Sequence, residues 1–162
     1  MIATPSSPGN VVRVSEVAGQ PIYQAYIGSS ANPGWRDFAV AAEIVRDSNI
    51  PAEVSFDVNP TSRETLEALI VDGRLEALVA AGARIHQTGC NGCIGMGQAP
   101  AVGRNSLRTT PRNFPGRRVP RKTRSFSVRR KLLPHRRSRV ALPIHERLQR
   151  PVRNSAIQSG RR

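Results

Sequence analysis

Apolar positions follow two different periods along the chain as far as residue 117. Residues 22–27 form a short apolar run that stops at Gly28-Ser-Ser-Ala-Asn-Pro-Gly34, which predicts a buried strand feeding a loop. Beyond it, Trp35, Phe38, Ala39, Ala42, Ile44 and Val45 recur at three- and four-residue spacings. That is the stripe of an amphipathic helix, with Trp35 and Phe38 expected in the core. Residues 52–58 alternate Val54, Phe56 and Val58 against Glu53, Ser55 and Asp57, the pattern of a strand with one buried face. Asn59-Pro-Thr-Ser62 then opens a helix, with Thr61 and Glu64 three apart as a capping box and Leu66, Leu69 and Ile70 facing inward. Gly73 interrupts this helix. Leu75, Leu78 and Val79 continue a second helical segment to Gly82, and residues 83–86 make a short strand. Residues 1–20 are rich in Pro, Ser, Gly and Val without a sustained period and read as an extended lead-in.

Strands alternating with helices of this length imply right-handed crossovers and a mainly parallel sheet, so the fold class is α/β. Three strands with helices on both faces are expected, with open sheet edges. In such sheets the loops leaving the carboxyl ends of the strands build the site. Residues 28–34 and 88–98 are both loops of that kind and can meet in space.

The second loop carries the only two cysteines, Cys90 and Cys93, as a Cys-x-x-Cys pair among four glycines. Two thiolates that close, with little side-chain crowding, suit close approach to a metal, a cluster or a substrate. The pair alone leaves four chemistries open: half of a zinc site, half of an iron–sulfur site, a redox dithiol or a disulfide. Zinc held by the pair and His86 would still need a fourth ligand.

Charge divides the chain. Residues 1–117 hold 10 Arg, no Lys and 10 Asp or Glu, whereas residues 118–162 hold 15 Lys or Arg against the single acid Glu146, which accounts for the net charge of +14. A basic stretch of this kind is expected to attract nucleic acid without sequence preference, through phosphate contacts. It has only Phe126 for stacking. No basic segment followed by an apolar run marks a leader and no apolar window is long enough for a membrane span, so a cytoplasmic protein with reduced thiols and no membrane partner is expected.

Four motifs in order carry a resemblance. They are Ile27-Gly-Ser-Ser-Ala-Asn32, Asp57-Val-Asn-Pro-Thr-Ser-Arg63, Gly89-Cys-Asn-Gly-Cys-Ile-Gly-Met96 and Ser106-Leu-Arg-Thr-Thr-Pro-Arg-Asn-Phe-Pro-Gly-Arg117. Together they resemble aconitase and the large subunit of isopropylmalate dehydratase, over residues 10–117. The resemblance implies a fragment of the aconitase-type α/β/α domain, in an iron–sulfur hydro-lyase that dehydrates and rehydrates a hydroxy-tricarboxylic acid or a related small carboxylic acid. It implies a 4Fe-4S cluster held by three cysteines, of which Cys90 and Cys93 match the second and third. Ser30 stands where the first would be. Arg112 and Arg117 match two arginines that contact substrate carboxylates, with Pro111 in place of a common Asn. The family's general base, a serine of another domain, has no match here. Two cysteines cannot hold the usual three-cysteine cluster, so the isolated chain is expected to be an inactive fragment.

After residue 117 the resemblance stops abruptly. Codons exist for residues 118–146 such that the same nucleotides, read one base earlier, spell Ser-Gly-Thr-Lys-Glu-Asp-Ser-Val-Phe-Leu-Cys and later Pro-Glu-Thr-Ala-Ala-Ala, a family-like continuation. The basic stretch is therefore read as a frameshift product with no evolved fold, and its Pro, Arg and Ser content predicts disorder. The expected organisation is a lead-in at 1–20, a partial aconitase-type α/β/α domain at 21–117 and a disordered Arg-rich tail at 118–162.

Overall fold

A computed structural model describes residues 1–5, 7–96 and 98–110, together with the backbone of 124–128. Ten regular elements follow one another among the described residues. They are β1 (Ile2–Ala3), β2 (Val11–Val12), β3 (Gln24–Gly28), α1 (Trp35–Val45), β4 (Ser55–Asn59), α2 (Arg63–Val71), α3 (Arg74–Ala80), β5 (Arg84–Ile85), β6 (Asn105–Arg108) and β7 (Arg124–Val128). Short 3-10 turns occupy Val14–Val17 and Gly92–Ile94. The strands form one sheet in the order β2-β1-β7-β6-β3-β4-β5. From β7 through β5 every pairing is parallel, and β1 joins antiparallel to both β7 and β2. The mainly parallel α/β sheet is as expected.

The helices begin and end for local reasons. The Asp37 carboxylate accepts a hydrogen bond from the Gly34 N–H (3.0 Å), closing the first turn of α1. Ser62, not Thr61, is the N-cap of α2, and its hydroxyl accepts from the Thr65 N–H (3.3 Å). The cap thus sits one residue later than the capping-box pattern indicates, because Thr61 donates its hydroxyl to the Pro33 carbonyl instead. Gly73 takes a left-handed conformation (φ 70°) that separates α2 from α3.

All three described helices share one core with the sheet. Phe38, Ala42 and Val45 of α1, Leu69 of α2 and Ala77 and Leu78 of α3 pack with Phe56 and Val58 of β4. They therefore cover one face, where helices on both were expected. Several stripe residues lie outside this core. Trp35 is 40% exposed and Ile44 45%, while Ile70 and Val79 are exposed too. Trp35 packs at the surface because its indole N–H donates to Asp72 (3.1 Å) and the Arg74 guanidinium lies 5.3 Å from its ring.

Three further departures concern the strands. The lead-in contributes β1 and β2, with Ile2 and Ala3 buried. β6 was not foreseen, since Asn105–Arg108 contains one apolar residue. β7 lies inside the stretch expected to lack any folded element. Its Ser125-Phe-Ser-Val128 alternates small polar and apolar residues with the period of a strand. The remainder of residues 118–162 is outside the described residues. No helix among the described residues is long and apolar enough to cross a membrane.

Candidate functional site

The face of the sheet away from the helices is polar, and register explains why. Gln24 and Tyr26 of β3 stand beside Ser106 and Arg108 of β6 and beside Ser55 and Asp57 of β4. Because β-strand side chains alternate, these residues share one face while Ala25, Ile27, Phe56 and Val58 share the other. β4 was read as having a solvent face, yet Asp57 and Asn59 are fully buried. The cysteine loop lies against this face, reaching Asn59, Gln24 and Arg108.

The polar side chains satisfy one another across three strands. Gln24 donates its amide N–H to Asp57 (3.0 Å), and its amide oxygen accepts from Ser106 (2.7 Å) and from Arg108 (2.7 Å). Asp57 also accepts from the Ser55 hydroxyl (2.8 Å) and pairs with His86 Nε2 (2.9 Å). Opposite charges on Arg108 and Asp57 are thus linked through one amide in the sheet interior, where leaving either unpaired would be costly. The Tyr26 hydroxyl donates to Asn59 (2.6 Å), whose amide donates in turn to the Gln87 carbonyl (2.8 Å).

The loop from residue 87 to 98 lies on this surface through its backbone. The Gly92 and Gln98 carbonyls accept from Arg108 at 2.6 and 2.8 Å, and the Gln98 carbonyl also accepts from Gln24 (3.3 Å). At Gly92 the backbone meets the Tyr26 ring so closely that a Cβ would fall 2.4 Å from Cε2. Within the loop, Cys90 is exposed and Cys93, on the 3-10 turn, is buried. A cleft of about 300 Å³ opens beside the loop, lined by His86, Gln87, Asn91, Met96 and Gln98.

Residues 28–34 leave β3 at the same end of the sheet. Gly28 donates its N–H to Thr109 (3.1 Å) and Asn32 donates its amide to the Thr109 carbonyl (2.8 Å). Ser29 is buried and turns the loop by bonding Asn32, whereas Ser30 is exposed. The two loops share a support. Gly28 packs on Asn59, and the Gly89 N–H donates to the Pro60 carbonyl (3.2 Å). Arg112 and Arg117 lie outside the described residues.

Burial pushes the Tyr26 phenol up to about 12 from 10.0, against the opposing pull of the Arg108 guanidinium. A phenol whose folded value is raised contributes stability that is complete below its unfolded value and is lost as pH climbs through the folded one. Stability is therefore expected to fall between about pH 10 and 12. An ultraviolet tyrosinate titration alongside circular dichroism checks this. Tyr26 should ionise together with unfolding, and ionisation of Tyr26 near pH 10 in a folded chain would contradict it.

The aconitase family (aconitate hydratase) matches this chain over residues 3–128. The chain belongs to the aconitase family. It is 43% identical over 118 residues to the 3-isopropylmalate dehydratase large subunit 1 of Methanopyrus kandleri, covering 72% of this chain and 28% of that protein. It is 39% identical over 118 residues to the probable methanogen homoaconitase large subunit of Methanothermobacter thermautotrophicus, covering 72% and 27%. This aconitase-family chain thus spans a little over a quarter of the length of the curated relatives it matches. The family match also reaches Val128, past residue 117 where the motifs end, and takes in β7.

Members of the family generally bind a 4Fe-4S cluster. The donors present here do not fit the three-thiolate set. Cys90 and Cys93 are the only thiols in the chain, and Ser30, the residue expected at the place of the first cysteine, is an exposed hydroxyl. Among the described residues no group of three His, Cys, Asp or Glu side chains is placed to hold a metal ion. Sequence reading missed Gln24, Asp57, Asn59 and Arg108 as site residues. The available signal was polar residues at alternate positions in successive strands.

Proposed function

We propose that this chain is the cysteine-loop segment of a hydro-lyase acting on a small hydroxy di- or tricarboxylic acid. We further propose that it recognises the carboxylates of such an acid without turning it over. The reading is carried by the donor set. The chain belongs to a family whose matched relatives include a 3-isopropylmalate dehydratase and a homoaconitase, it holds two thiols, and Ser30 is assigned to the place of a third. A neutral hydroxyl is a poor iron ligand beside a thiolate, so no step is assigned to a cluster. Arg112 and Arg117 are assigned to substrate carboxylates, since a guanidinium offers two parallel donors to each. The sheet delivers both loops to one end, where such a substrate would lie.

Anaerobic treatment with iron and sulfide, followed by a hydration assay on an unsaturated tricarboxylate, tests the silence. No product is expected, and turnover would contradict it. Carboxylate recognition is read separately by calorimetry with citrate and 3-isopropylmalate. Weak binding that disappears in Arg112→Gln and Arg117→Gln supports the substrate class, and no binding by the unaltered chain would overturn it.

A further inference from the structure

Arg108 is among the largest fully buried side chains of the molecule, at 1% exposure. A buried guanidinium needs a reason, because its five N–H groups must all leave water. Its described partners show what it holds. Nε donates to Ser106 (2.8 Å) and one Nη2 bond goes to Gln24 (2.7 Å), which anchors the group to β6 and β3. The other two bonds go to the cysteine loop, to the carbonyls of Gly92 (2.6 Å) and Gln98 (2.8 Å). These carbonyls flank Cys93 on either side in sequence. Charge-assisted bonds of this length are the stronger kind, and they act on backbone that no side chain of the loop could replace. The Tyr26 ring adds a floor, with the guanidinium 5.0 Å from its centre on one side and the Gly92 backbone against its edge.

We infer that Arg108 is a positioning residue that clamps the Cys90–Cys93 loop onto the polar face of the sheet. The loop thereby keeps Cys93 buried and Cys90 exposed by protein contacts alone, without a metal. The fork geometry of arginine is required, since one planar group must reach two carbonyls, a hydroxyl and an amide oxygen at once. This does not rest on the proposed substrate or on turnover. A chain that bound no carboxylate would hold its loop in the same way.

The test is the relative alkylation rate of the two thiols in the purified 162-residue chain, read by peptide mass spectrometry after brief exposure to iodoacetamide. In the unaltered chain treated with a chelator, Cys90 is expected to react at least about tenfold faster than Cys93, because opening of a clamped turn precedes reaction. In Arg108→Gln the ratio is expected to fall to within about twofold, while the helical circular dichroism and Trp35 fluorescence, which report the opposite face of the sheet, stay unchanged. Arg108→Lys keeps the charge but has no fork, so an intermediate ratio is expected. Three results would overturn the inference: equal reactivity in the unaltered chain once metal is stripped, protection of Cys93 undiminished in Arg108→Gln, or complete rescue by lysine. Should Arg108→Gln lose its helical signal, the lysine variant and the chelator arm decide the matter.

Discussion

Gly28→Ala is expected to be among the most damaging single-methyl additions in this chain. Gly28 ends β3 at φ 140°, a conformation that an L side chain rarely adopts. Its Cα faces the paired residue of β4 so closely that an added Cβ would lie 2.0 Å from the Asn59 carbonyl oxygen and 2.6 Å from the Asn59 Cβ. Neither contact is with a flexible side-chain tip. The paired strands β3 and β4 must part at their carboxyl ends, or the backbone must leave its conformation and drop the bond from the Gly28 N–H to Thr109. Strain and overpacking together are expected to cost roughly 3–5 kcal/mol, a large share of the stability of an ordinary domain. Urea unfolding followed by helical circular dichroism measures it. Gly82→Ala is the control, since Gly82 has a positive φ of 99° with nothing within 4 Å of the added methyl. It should lose only the backbone term, about 1–2 kcal/mol. Equal effects at the two positions would show that β3 and β4 are not packed as described.

Asp57→Ala is the second large effect. The carboxylate is fully buried and joins three neighbours, Gln24, Ser55 and His86, at 2.8–3.0 Å. Removing it leaves the Gln24 amide and the His86 ring nitrogen without their shared acceptor, which is expected to cost about 3–5 kcal/mol. The damage should travel. Gln24 orients the Arg108 guanidinium through its amide oxygen, so a rotated Gln24 loosens the arginine and with it the cysteine loop. Asp57→Ala is therefore expected to lower the urea midpoint and to raise the reactivity of Cys93 together. Asp57→Asn, which keeps an acceptor oxygen, should do less of both. A midpoint shift no larger than that of an exposed acidic residue such as Glu53 would refute the network.

How far these features were legible differs by residue. The strand–helix alternation from residue 22 to 86 was open to reading because Phe38, Ala42, Phe56, Leu69 and Leu78 obey simple periods, and they form the observed core. The cysteine loop and its place after a parallel strand were equally plain. The polar face was not. An alternating strand with Asp57 on its second face is ordinarily solvated on that face, and nothing local says that a glycine loop will cover it. Arg108 was hidden for the same reason. Its role depends on Ser106, Gln24, Gly92 and Gln98 arriving from three separate segments, and only the sheet register brings them together. β7 was lost to composition, because residues 118–162 are dominated by arginine and the short alternation at Ser125-Phe-Ser-Val128 is brief.

As proposed, this aconitase-family chain carries a cysteine loop folded by its own side chains and short of one thiolate at Ser30. Iron and acid-labile sulfide bound per chain, measured after anaerobic reconstitution and gel filtration of the unaltered protein and of Ser30→Cys, tests it most directly. Little of either is expected in the unaltered chain, with a clear gain in both when the third thiol is supplied. A full complement of iron and sulfide in the unaltered chain would contradict the claim.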